Sequence, residues 1–550
     1  MKIGIKSILP ALAIGSALGL STLPAQASTM YFSASDNLNN HELWKTNGTT
    51  AGTVKIKDIN TNGSFGSSPE RFTSAAGTTF FSAFDSSSGQ ELYKTDGTTA
   101  GTVLVKDIYP GDFSSNPANF TVMGGILYFT AVNGTNGTEI WKSDGTAAGT
   151  VMVKDIYPGS FSSNPSSTTI LPNFNAVGPM TVIGTNFYFV ATNGTNGTEV
   201  WKSDGTTAGT VLLKDAYPGD FGSNPAMLTK VGSLLYFTAA NGTNGTELWK
   251  SDGTAAGTVM VKDIYPGSFG SSPSSTTLTR PFVSVGSTIY FYAANGTNGT
   301  ELWKSDGTTA GTVMVKDIYP GDFSSSVSSL TVLGTTVYFS ATNGTNGSEI
   351  WKSDGTTAGT VMIKDVYPGD FSSNPGRLFV MGSTLYFAAA NGSNGTELWK
   401  TDGTTAGTFM IKDIRTGSQG ANPANFTILG STLFFSALDD THGEEIWKTD
   451  GTTAGTAFVH DVYPGNSSSF PNSLIVMDGA VFYQAVNSTV GSELWKTSGS
   501  GAVLVKDINP NSGDAQPKNF FIAPAGTAAS PLASEPEASE PATSPSAKTS

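Results

Sequence analysis

Two sets of carboxylates recur along this chain at fixed offsets, and acids held in register are the usual equipment for hydrolysis or cation binding. One set is a glutamate two residues before an aromatic: Glu42 before Trp44, Glu91 before Tyr93, Glu139 before Trp141, and so on to Glu493 before Trp495. The other is an aspartate preceded by lysine (His460 once), from Asp58 and Asp107 to Asp507. Each set has ten members. A group present in every copy answers first to packing. These acids are therefore expected to form ion pairs and hydrogen bonds with the lysines beside them, rather than ten cation sites. A third aspartate, as in Asp144-Gly145-Thr146, is a turn former whose carboxylate bonds nearby backbone N–H groups.

Residues suited to sugars form a second group. Tyr109, Tyr217, Tyr319 and Tyr367 each open a Tyr-Pro-Gly-Asp-Phe loop, near Asn-Gly-Thr-Asn-Gly-Thr segments such as 133–138. Aromatic rings beside amides and carboxylates can stack on a sugar ring and bond its hydroxyls, but the favoured reading packs each tyrosine beneath its own loop. Departures from the repeat mark where a single ligand would sit. They are the long loops Phe161–Pro179 and Phe269–Arg280, with Phe161, Phe269 and Arg280 as candidates, and Arg71 and Arg377 at one shared repeat position. The acidic stretch at Asp439, Asp440 and Glu444 is the one calcium candidate, though its spacing matches neither an EF-hand nor an RTX loop, so a solvated acidic loop is the favoured reading. No other cofactor is indicated. There is no cysteine, only three histidines, and no GxSxG, HExxH or phosphate-loop pattern. The four arginines do not cluster as a sialidase-like site would need. No catalytic residue is nominated.

The elements that must hold these residues follow from the spacing. The aromatic recurs at a period of 48 residues, with three longer gaps of 49, 60 and 54, and all nine tryptophans occupy it. Such a period means a repeat architecture. Within one copy, Asn119–Met123, Ile126–Ala131, Glu139–Ser143 and Thr150–Ile156 read as four strands, A to D, joined by Gly-Gly, Asn-Gly and Asp-Gly turns. Four antiparallel strands per copy make a propeller blade. The first copy lacks strand A, and an orphan A strand stands at Asn519–Ala523. The expected fold is all-β: a single closed propeller of ten blades, the first completed by the C-terminal strand. An open superhelical stack of the same blades is the alternative.

The unit ELWKTDGTTAGTFMIKDI at Glu397–Ile414 and its copies resemble the ELWxxDGT repeat family of exported bacterial proteins. That resemblance implies a secreted or surface protein and assigns no activity to any residue. Lys2 and Lys6, the apolar run after them, and Ala25-Gln26-Ala27 read independently as a signal peptide over 1–27. The propeller is expected over 28–524, and 525–550 reads as a Pro/Ala/Ser/Glu-rich disordered tail. The net charge of −14 makes nucleic acid a poor partner, and no membrane insertion is expected. The reading is a secreted or periplasmic monomer that binds or scaffolds without catalysis, its ligand a surface glycan or another exported protein. The alternative is a polysaccharide-active hydrolase or lyase with its site at the channel mouth.

Overall fold

The computed structural model describes residues 28–36, 40–61, 65–166, 180–273, 282–510 and 513–524. Residues 1–27 and 525–550, expected as signal peptide and tail, Arg280 and most of the two long loops lie outside the described residues. Forty strands form ten four-stranded antiparallel sheets, and there is no helix among the described residues. The protein is a ten-bladed β-propeller. The third blade shows the pattern: Ala118–Met123 (A), Ile126–Val132 (B), Thr138–Ser143 (C) and Val151–Lys154 (D). Strand D is shorter than its sequence suggests. Past Lys154 the backbone turns away, and the Ile156 N–H donates to the Glu139 carboxylate instead of to a strand. Strand A bulges at its second residue, where Asn119 takes a positive φ of 62° and the register slips between Ala118 and Thr121.

The apolar core lies between blades, not within them. Ten buried clusters occupy the ten seams. One joins Phe80, Leu92 and Val105 of the second blade to Phe129, Ala131 and Trp141 of the third. This follows from strands that are apolar on both faces, so a blade alone would leave both faces wet. Strand B accordingly reads buried over five consecutive residues in most blades, as at Leu127–Ala131.

Closure is complete, which excludes the open stack. Lys518–Ile522 pairs antiparallel with Met30–Ser35 and completes the first blade. The seam between the tenth and first blades carries its own cluster, with Met477, Phe482 and Leu494 against Met30, Phe32 and Trp44. Across it Lys496 donates to the Gly48 carbonyl (2.6 Å) and Lys506 to that of Thr53 (2.8 Å). The two ends of the ring meet, the Ala523 N–H donating to the Thr29 carbonyl (2.8 Å). Ser28 reaches the tenth blade, its N–H and Oγ donating to the Asp478 carboxylate.

Deleting 519–550 removes Phe520 from the closing core and exposes the edge of Met30–Ser35. It should lower the calorimetric melting temperature by more than about 5 °C relative to deleting 525–550 alone. Equal melting temperatures would show that the closing strand adds nothing to the ring.

Candidate functional site

The repeated acids do not meet the repeated lysines. This corrects the expected ion pairing, and the cause is strand geometry. Glu91 lies on the face of Tyr93, whereas Lys94 points to the other face. None of the repeated lysines is within ion-pair distance of a repeated acid among the described residues. The lysines of strand C, Lys250 excepted, donate to the next blade's C–D turn, as Lys94 does to the Gly145 carbonyl (2.8 Å). Each lysine at the end of strand D does likewise one step on, as Lys106 donates to Thr150 (2.9 Å). Several of these second ammonium groups also lie over the next blade's indole, Lys154 at 5.9 Å from the Trp201 ring centre.

The glutamates turn the other way, into their own D–A crossover. Glu91 is fully buried and accepts from the N–H groups of Ile108 (3.1 Å) and Ser115 (2.9 Å) and from Ser115 Oγ (2.5 Å). Burial pushes its carboxyl up to about 7, and these donors restrain the rise. Glu139, Glu301, Glu397 and Glu445 are also raised to about 7. Glu493 reaches about 8, with Ala515 where most crossovers carry the serine. The aspartates of the C–D turns behave as expected. Asp144 accepts from Thr146 N–H and Oγ (both 2.8 Å), and these bonds hold its carboxyl below the usual range.

The D–A crossovers and B–C loops share one face of the ring. Tyr109 does not pack only under its own loop. Its ring abuts Gly134 of the next blade so closely that a Cβ there would lie 2.4 Å from a ring carbon. Tyr217, Tyr319 and Tyr367 do the same against Gly242, Gly344 and Gly392. These tyrosines are therefore seam plugs. The exposed ring is the phenylalanine four residues on. Phe113 stacks on Tyr109 with ring centres 4.9 Å apart and 18° between planes. Phe161, Phe221, Phe269, Phe323 and Phe371 stack in the same way on their own tyrosines. With Phe65, seven successive blades present a phenylalanine that is 56–69% exposed. The arc stops where Gln419, Ser467 and Gly513 take the position. Sequence reasoning took the Tyr and Phe of these loops together as a rim, and nominated the tyrosines, with Phe161 and Phe269 added from the long loops. The wider signal was present in the register of every copy.

The remaining candidates are tied into the scaffold. Arg377 donates to the Pro423 carbonyl of the next blade (2.7 Å). Asn119 and Asn519 make the same bridge to Pro165 and Pro69, so this position is an inner-ring latch. Arg71 instead pairs with its neighbour Glu70. Asp439 caps its own loop, accepting from Thr441 N–H and facing His442 Nδ1 (both 2.8 Å). Asp440 pairs with Arg415 (2.7 Å), which stands where other crossovers carry the plug tyrosine. The Glu444 N–H is held by Ser468 Oγ (2.9 Å).

Two outcomes follow. A folded-state carboxyl raised to about 7 binds protons that the unfolded chain releases near its ordinary value. Stability is then full at acid pH and falls as pH rises through 7 and, for Glu493, 8. The urea midpoint should be higher at about pH 5 than at about pH 8; the reverse would mean the glutamates are ionised in place. Chelator should leave the main unfolding transition where it is. Its collapse would show that calcium holds the Asp439–Glu444 loop or the repeated acids.

No family model and no curated protein matches the chain. Among solved structures, one from a study of two prolyl endopeptidases aligns over 59% of this chain and 48% of its own length, at 12% identity and a TM-score of 0.32. A puromycin hydrolase aligns over 68% and 59%, at 12% and 0.30. A Mycobacterium tuberculosis puromycin-hydrolyzing peptidase aligns over 67% and 58%, also at 12% and 0.30. The chain thus spans between about half and three-fifths of these structures. Overlap of that extent is no warrant for shared chemistry.

Proposed function

We propose that this is an exported, non-enzymatic propeller that captures a neutral glycan chain through many weak, equivalent contacts. The observation that supports it most is the arc of exposed phenylalanines on seven successive blades. A ring fixed against a tyrosine on one side and open on the other is a ready platform for the C–H face of a sugar. Stacking of this kind contributes about 0.5–1.5 kcal/mol per contact, so single sites are weak. A repeated ligand on a repeated rim gains by effective concentration. The rim also bears the exposed carboxylates Asp112, Asp220, Asp322 and Asp370. They accept hydroxyl hydrogens from a neutral polymer and repel a uronate-rich or sulfated one. The leader at 1–27 and the resemblance to the ELWxxDGT family support placement outside the cytoplasm. Repeated glutamates held by crossover N–H groups favour binding over acid–base hydrolysis.

Affinity electrophoresis in gels cast with soluble β-glucan, glycol chitin or alginate tests the reading. Retardation is expected in one or both neutral gels and not in alginate. Replacing Phe113, Phe221 and Phe323 together by alanine should leave the melting temperature in place and weaken retention roughly a hundredfold. Unchanged retention would remove the rim from the binding site. Release of reducing ends from any of the polymers would favour the hydrolase instead.

A further inference from the structure

One seam combines loss of the plug tyrosine, which Arg415 and Asn509 also replace elsewhere, with a tyrosine in place of the seam tryptophan. Between the first and second blades, Asn60 stands where Tyr109 and its equivalents stand elsewhere. Its amide donates to the Phe65 carbonyl (2.7 Å), and its Oδ1 accepts from Ser86 N–H (3.1 Å) of the facing B–C loop, so it crosses the seam with a small polar group instead of a ring. No aromatic plug therefore fills the gap. The facing B–C loop is Asp85-Ser86-Ser87-Ser88 instead of Asn-Gly-Thr-Asn-Gly-Thr. The second blade is also the copy in which tyrosine, Tyr93, replaces tryptophan, which withdraws the bulk of an indole from the same seam. Together these exchanges leave an open cleft of about 490 Å³, within the size range of small-ligand sites.

The lining of the cleft sets the class of ligand. Asp58 enters from the first blade, and Asp85, Asp107, Ser87 and Ser88 from the second, over the ring of Tyr93. Lys57 also borders it, but its ammonium donates to the Thr102 carbonyl (2.8 Å). One Asp85 oxygen accepts from Ser87 N–H and Oγ, and one Asp107 oxygen from Gly111 N–H (3.3 Å). Asp58 lies 3.7 Å from the Lys55 ammonium, which leaves Asp85 and Asp107 as the uncompensated charge. The cleft is thus rich in acceptors and negative in charge, with an aromatic wall. We propose that it is a single-copy binding site for a small hydroxylated amine, of which a hexosamine with a free ammonium group is the simplest example. The ammonium lies beside Asp85 and Asp107, and a ring hydroxyl meets Ser87, while Ser88, buried and bonded to Tyr93, backs the aromatic wall. The site does not depend on the phenylalanine rim binding anything.

Copying the consensus into this seam gives a test that does not rest on damage to the fold. The double variant Asn60→Tyr with Tyr93→Trp makes the seam like its neighbours and should melt within a few degrees of the parent. Glucosamine, glucose and glucuronate serve as probes in calorimetric titration and ligand-observed NMR at about pH 6, where the amine is protonated. One glucosamine per chain is expected, with glucose at least tenfold weaker, no saturable glucuronate binding, and affinity that falls with salt. The filled-in variant should bind none, Asp85→Asn should weaken binding at least tenfold, and the triple phenylalanine variant should bind as the parent does. Several results would overturn the proposal: no saturable glucosamine binding, equal binding of glucose, equal binding by the filled-in variant, or loss of binding in the triple variant. The last would place the amine on the rim instead.

Discussion

The ring depends on how a lysine ammonium is held in a seam with no carboxylate beside it. Lys154 donates to the Thr210 carbonyl (2.7 Å) while lying over the Trp201 ring, both in the next blade. A backbone carbonyl and an indole face supply partial negative charge in fixed positions. Burying a full ion pair would instead require both charges to leave water. The stem of the lysine covers apolar surface as it crosses. The same contact links the tenth blade to the first, where Lys506 meets Thr53 and Trp44. This geometry lets a chain with only 13% charged residues fix the orientation of ten blades. It also explains why the tryptophan and the two lysines keep register together. They form one joint, shared between neighbouring copies.

Repetition made most of this architecture legible in the sequence. Turn glycines, the period of 48 and the unpaired strands at the two ends were enough to give ten four-stranded blades and their closure. Side-chain partners were harder to read, because residues close in sequence on a strand face opposite ways. Glu91 and Lys94 look like a pair in one dimension and belong to different surfaces in three. The tyrosines were assigned to their own loops because nothing local shows that the next blade's glycine leaves room for the ring. Arg71 and Arg377 looked like ligands since they break the pattern, yet Arg377 does the work of the asparagine it replaces. The exchange of Tyr for Asn60 was equally visible. Its effect is clear only once the groove that tyrosine fills is known.

The two faces of the ring differ for the same reason. C–D turns carry the joints. Besides the lysine contacts, turn threonines such as Thr99, Thr357 and Thr405 donate to the strand D carbonyl of the preceding blade. Those loops cannot change without loosening a seam. On the opposite face each crossover is pinned at its base by a buried glutamate, which frees the loop above it to vary. Arg415 with Asp440 replaces one tyrosine plug by an ion pair and leaves the blade below intact. The second-blade loop Asp85–Ser88 is a further substitution of this sort. Variation is thus confined to one side of the molecule by the placement of the joints on the other.

The meeting of Thr29 with Ala523 fixes how the protein can be presented to its surroundings. Strand A ends and strand B begins at the A–B turns, so the chain enters and leaves the ring side by side, on the face that carries the C–D turns. Both points of attachment therefore lie on the face opposite the aromatic rim, which leaves the rim clear of whatever is joined at either end.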